Sequence, residues 1–314
     1  MIILWFTLGT QFFSARNITS MGFQIAEFAF LALAMSLAML SGGIDLSVVA
    51  NMNLSGILAG MLLRNLTLLE LLGNTGTIVL AISVGLISAT ILGLFNGALI
   101  AFAGVPAILA TIGTMLFYSG IAMAITKGQG VVGFPIEFTK LGSAQFLGFP
   151  FPMMLLLLAF LVSILALKHT IWGKSLYLIG ESRVAALFSG LKNEHTYLIT
   201  YAIGGLFCGF SGLVLMARAN SIRVGYGNSY LLQAILVSIL GGINPSGGKG
   251  KLSGVLVGIL ILQSLSSAFT IFRITPYARG LIYGTMLIGV MILESSTLLE
   301  RRGFLRPRSN KIIL

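Results

Sequence analysis

The stretch LSGGIDLSVVA, residues 40–50, sets a carboxylate, Asp45, beside two glycines and between two long apolar runs. A carboxylate so placed has two uses. It accepts hydrogen bonds from the first backbone N–H groups of the helix that follows, or it meets a polar solute at a break in a helical bundle. Gly42 and Gly43 weaken a helix and open backbone angles closed to other residues. Unwound backbone at membrane depth survives only against protein or a water-filled cavity. The segment is therefore expected to break a helix at the bundle interior or at the inner mouth of a pathway, with both roles of Asp45 open.

Neutral hydrogen-bonding groups are the other chemistry within the apolar runs. Asn51, Asn53, Asn96, Thr111, Thr114 and Gln233 suit a route for a neutral polar solute, with Phe95 and Phe117 offering ring faces; the same groups also serve as bonds between packed helices. Covalent chemistry has little to work with. Cys208 is the only cysteine, and His169 and His195 are too few for a metal cluster, so no metal, cofactor or catalytic residue is expected. The glycine-rich stretch GGINPSGGKGKLSG, residues 241–254, fails as a phosphate loop: Pro245 stands at the first required glycine and Leu252 at the required Ser or Thr.

The elements that must hold these residues follow from composition. Of 314 residues 57% are hydrophobic and 9% charged, with mean hydropathy +1.01, against about 25% charged in a soluble chain. The fold class is all-α, a polytopic transmembrane bundle with broken helices, built as one transmembrane domain over residues 1–314. About ten apolar spans are expected, at 1–13, 23–41, 45–63, 77–101, 106–125, 152–168, 196–217, 230–243, 252–272 and 279–298. The first is short for a crossing. No secretory leader is expected, because the first basic residue, Arg16, follows that run instead of preceding it. Ten spans put both termini on one side, and eleven of the nineteen Lys and Arg residues then fall on that side, five of them in the tail 300–314. That side is read as cytoplasmic. The net charge of +11 belongs to this bias, so no nucleic acid is expected as a partner. GxxxG spacings such as Gly93/Gly97 and Gly205/Gly209 are about as frequent as 39 glycines in 314 residues produce by chance.

The long inner loop 169–195 carries its own pattern. Val184, Leu187, Phe188 and Leu191 fall at i, i+3, i+4 and i+7, one face of a short helix. Glu181 is placed at its start, Gly190 at its C-terminal cap and Lys192 beyond, in keeping with the helix dipole. The apolar face either lies on membrane lipid or docks into a groove of a cytoplasmic partner.

Four blocks in order, LSGGIDLSV, GLFNGALIAFAGVPAILATIGTMLFYSGIA, GKSLYLIGESRVAALFSGL and ILGGINPSGGKGKLSGVLVGILI, resemble the permease subunit of bacterial ATP-binding-cassette importers for simple sugars, the ribose and autoinducer-2 group. The resemblance runs from about Phe28 to Glu294. It implies a multi-pass protein of the bacterial plasma membrane with both termini cytoplasmic. It implies a second permease, identical or homologous, a cytoplasmic ATPase dimer and an extracytoplasmic solute-binding protein, and it identifies Glu181 to Leu191 as the coupling helix. ATP hydrolysis would belong to the partner. Arg218, Arg223, Arg273 and Arg279 on the outer side suit either the binding protein or interfacial anchoring. The chain departs from the group where Val49, Ala50 and Asn51 replace the usual Gly-Ser, and where Tyr230 to Ile235 lacks the usual acidic pair. The alternatives are a self-contained secondary transporter or channel and, among importers, a nucleoside or branched-chain amino-acid permease.

Overall fold

The computed structural model describes residues 12–146 and 148–301, without the side chains of 294–301. Twelve helices lie among the described residues: α1 Ala15–Leu40, α2 Val48–Leu63, α3 Leu66–Ala101, α4 Ala107–Thr126, α5 Ile136–Ser143, α6 Phe151–His169, α7 Ile171–Glu181, α8 Arg183–Phe188, α9 Asn193–Ala219, α10 Asn228–Leu240, α11 Leu252–Ile271 and α12 Pro276–Arg301. Seven of them, α1, α3, α4, α6, α9, α11 and the described part of α12, are long and apolar enough to cross a membrane. The apolar helices α2 and α10, with 16 and 13 residues, are shorter than that length. The expected first span falls on residues 1–13, nearly all outside the described residues, as does the basic tail from 302. Two small antiparallel pairs, Val131–Val132 with Ser221–Ile222 and Gln145–Phe146 with Phe149–Pro150, fasten the loops around α5 and after α9.

Helix α1 is the hub. From Ile25 to Leu40 every residue is buried, which is what a helix that is apolar all round requires. Helices α6, α9, α10 and α11 pack around it. The outward faces of α3, α4 and α6 are apolar, with Ile87, Leu116 and Leu161 more than half exposed, as suits contact with lipid or with another membrane subunit.

The closest crossing joins α3 to α9. A Cβ on Gly93 would sit 2.2 Å from the Tyr201 carbonyl oxygen, and one on Gly205 would sit 2.3 Å from that of Ala89. Both contacts are to backbone, which cannot yield, so only glycine fits. Two GxxxG spacings whose number was unremarkable therefore meet each other inside one chain.

Candidate functional site

Helices α1 and α10 stop in related ways. Past α1, the Gly42 N–H donates to the Met39 carbonyl at 2.9 Å and the Gly43 N–H to the Ala38 carbonyl at 3.1 Å. Past α10, Gly242 donates to Ile239 at 2.8 Å and Ile243 to Ser238 at 3.0 Å. This paired closure needs one residue in the left-handed region, supplied by Gly42 and by Gly242, each at φ 82°. An Asx turn then follows both. Asp45 Oδ1 accepts the Ser47 N–H at 2.9 Å, and Asn244 Oδ1 accepts the Ser246 N–H at 2.8 Å. The repeat was visible in the sequence as GGIDLS and GGINPS, and was missed because the two lie about 200 residues apart.

Of the two roles open to Asp45, direct capping of α2 is not the one seen. Its carboxylate takes the N–H and hydroxyl of Ser47, the residue before α2, at 2.9 and 2.7 Å, and no N–H of α2 itself. Ser47 passes the interaction on by accepting the Asn96 amide at 2.7 Å. Thr111 reaches the same turn, with its hydroxyl 3.0 Å from the Ile44 carbonyl.

The two turns close on Gly180, near the end of α7. A Cβ there would lie 2.1 Å from the Leu40 carbonyl oxygen and 2.3 Å from the Gly248 nitrogen. These two atoms bond to each other, Gly248 N–H donating to Leu40 at 3.1 Å. Gly247 in turn sits against Gly42. The Tyr177 hydroxyl donates to the Gly250 carbonyl at 3.0 Å, and Lys249 meets Glu181 at 3.3 Å. Burial pushes the Tyr177 phenol above its ordinary value, so it remains a donor at neutral pH. Three segments remote in sequence, 40–43, 177–181 and 247–250, thus form one backbone-to-backbone junction.

Helix α8 hangs from this junction. It is shorter than the expected Glu181 to Leu191, because Ser182 adopts an extended conformation and ends α7 at Glu181. Ser182, not Glu181, caps α8, its hydroxyl accepting the Ala185 N–H at 3.2 Å. Sequence reading started the helix at Glu181 and so passed over the serine. Gly190 closes the far end as expected: its N–H donates to Leu187 and that of Leu191 to Ala186, at 3.0 and 3.2 Å. Leu191 therefore lies beyond the helix, half-buried. Ala186 faces inward, while Val184, Leu187 and Phe188 face outward at 63%, 58% and 87% exposure.

Most of the polar residues expected on a solute route are occupied in packing. Asn51 donates to the Ala89 carbonyl and Asn53 to the Tyr226 carbonyl, both at 3.0 Å, and Thr114 reaches the Thr111 carbonyl at 3.3 Å. With Asn96 and Thr111 they are buried, each donating to backbone or a neighbouring helix, although Oδ1 of Asn51 and of Asn53 is buried without a partner. Phe95 and Phe117 lie on the outer surface of the bundle, 46% and 58% exposed. Gln233, by contrast, borders a cavity. It shares a recess of about 380 Å³ with Glu27 and Arg218, an ion pair that sequence reading did not assemble because its members are 191 residues apart. Tyr230 donates to the same carboxylate at 2.5 Å.

The chain was compared with known proteins. A family profile described as branched-chain amino acid transport system / permease component matches residues 17–291. The ribose import permease protein of Bacillus subtilis is 32% identical over 94% of this chain and 89% of its own length. The L-arabinose ABC transporter permease protein of Azospirillum brasilense is 28% identical over 96% and 87%, and an autoinducer 2 import system permease protein of Shigella flexneri is 29% identical over 91% and 81%. No solved structure matches the chain.

Proposed function

The chain belongs to the branched-chain amino acid transport system / permease component family, and on that premise we propose that it is the permease subunit of an ATP-driven importer for a simple sugar or sugar-like solute. The observation that carries this reading is likeness along the whole chain: the ribose import permease of Bacillus subtilis aligns over 94% of it. Relatives named for ribose, L-arabinose and autoinducer 2 favour a hydroxylated solute over an amino acid.

The chain pairs with a second permease in the bacterial inner membrane, both termini facing the cytoplasm, and a solute-binding protein delivers solute from outside. Helix α8 is the part that a separate ATPase dimer grips. Its exposed face, Val184, Leu187 and Phe188, would insert into a groove as an amphipathic helix does. Burying a phenylalanine side chain stabilises such a contact by about 1.5–3 kcal/mol. When the ATPase subunits close on ATP they displace α8. Because α7 and α8 meet at Ser182, and Gly180 is wedged between Leu40 and Gly248, the displacement passes to the ends of α1 and α10 without slack from side chains. The shared cavity of the two permeases then changes the side to which it opens.

The test is co-purification. The tagged chain is extracted from its native membrane in mild detergent, and bound proteins are identified by mass spectrometry. An ATP-binding-cassette ATPase should accompany the wild type and be lost on Phe188→Glu, with membrane expression unchanged. A variant that retains its ATPase removes α8 from the docking role.

A further inference from the structure

We propose that the recess bordered by Glu27, Arg218, Tyr230, Gln233, Gln263 and Tyr283 is a receiving site for a neutral, hydroxyl-rich solute, at the end of the bundle remote from α8. The proposal rests on the reading of the chain as a sugar importer and adds to it a site within a single subunit.

Position comes first. The recess is bordered by the last turn of α9, the first two turns of α10 and of α12, Gln263 and Ser266 on the second half of α11, and Gln24, Glu27 and Phe28 on α1. The junction beneath α8 gathers the opposite ends of α1 and α10, at Leu40 and Gly242. Gln24 precedes Leu40 by 16 residues on one helix, which is about 24 Å of rise. The recess and the ATPase-facing helix thus lie at opposite ends of one continuous rod.

Its lining decides the ligand class. One carboxylate and two guanidinium groups border it, and the carboxylate is spent on Arg218. Glu27 is held by Arg218 and by the Tyr230 hydroxyl, and Arg279 gives its Nε–H to the Ile274 carbonyl at 3.0 Å. Among the described residues no unbalanced carboxylate remains there to hold a cation, and the cationic excess is a single guanidinium. The rest is amide and hydroxyl. Gln263 donates to Gln24 at 3.2 Å, whereas the Gln233 side chain has no hydrogen bond to any described residue. The Tyr283 hydroxyl is buried, with its residue 2% exposed, and makes no hydrogen bond of good geometry although Ser266 lies beside it. Amides and hydroxyls both donate and accept, which is what a sugar hydroxyl asks of its surroundings. The rings of Phe28 and Tyr230, with centroids 6.3 Å apart, supply faces for the C–H side of such a solute. Ionisable residues in apolar helices border cavities and mark solute paths.

The experiment uses the complete importer in its native membrane. Uptake of a panel of radiolabelled pentoses and hexoses identifies the transported sugar, which then serves as the probe. Ser229→Cys places a thiol at the rim, while the native Cys208 is buried and should not react. The probe sugar should slow labelling of this introduced thiol by a membrane-impermeant maleimide at least threefold, and a non-transported sugar should not. Gln233→Leu and Tyr283→Phe should raise KM for uptake about tenfold while the ATPase still co-purifies. If the wild type transports the sugar but labelling is unprotected and KM unchanged, the site is refuted and the importer reading stands. Protection that follows anionic lipid content, independent of sugar, assigns the recess to a lipid headgroup and also refutes it. If no panel sugar is transported while the ATPase still co-purifies, the sugar site is refuted and the importer reading stands; if neither is found, both fall.

Discussion

Gly180→Ala tests whether the junction is built backbone to backbone. The added methyl carbon would lie 2.1 Å from the Leu40 carbonyl oxygen and 2.3 Å from the Gly248 nitrogen, where ordinary contact begins at 3.4 Å. At least one wall must therefore move by about 1 Å. Neither wall is a side chain that can turn aside. Parting them breaks the Gly248 N–H bond to Leu40, at 3.1 Å in the native junction, for a loss of about 1 kcal/mol. Overpacking adds about 1–3 kcal/mol, so the total is about 2–4 kcal/mol. The matched control is Gly120→Ala, on a helix with open space around the site, where alanine should be neutral or slightly stabilising. Thermal unfolding of both variants in the same detergent, followed by size-exclusion chromatography of a fluorescent fusion, gives the comparison. Gly180→Ala should melt well below wild type and Gly120→Ala at or above it, and in membranes the importer carrying Gly180→Ala should retain the ATPase activity of its partner subunits with reduced uptake. Equal melting temperatures and equal uptake would refute the claim that Gly180 is a rigid contact.

Other consequences follow from the same geometry. Asp45→Ala removes an acceptor of two hydrogen bonds and should destabilise by about 1–3 kcal/mol, whereas Asp45→Asn keeps Oδ1 as acceptor and should cost less in the same melt; equal losses would mean that the charge itself matters. Lys249→Ala should leave stability within about 0.5 kcal/mol, since both partners of the Lys249–Glu181 pair are more than half exposed. Gly205→Val, which drives a branched side chain into the Ala89 backbone, should fail to yield monodisperse protein in detergent extracts.

Much of this protein is local and so was legible in the residues alone. Apolar run lengths announced the long helices, because every backbone group in lipid must be satisfied within its own helix, but of the ten expected spans seven described helices reach crossing length and two, α2 and α10, fall short of it. Turn chemistry announced the break at Gly42 and the cap at Gly190, since a left-handed residue is a property of a few consecutive positions. The spacing of Val184, Leu187 and Phe188 marked an outward apolar stripe, though the extended Ser182 moved its start from Glu181. Three things came only with the tertiary structure. Gly93 and Gly205 were two glycines among 39 until the crossing of α3 and α9 set each against the other's backbone. Gly180 carried no sign of Leu40 or Gly248, because a contact between distant segments is fixed by how whole helices pack. Asn51, Asn53 and Asn96 had the chemistry of a pathway and turned out to be bonded to backbone and to Ser47, while Glu27 and Arg218, 191 positions apart, gathered around an open recess. Residue type determines what a side chain can bond; only the packed chain decides whether protein or a solute is there to be bonded.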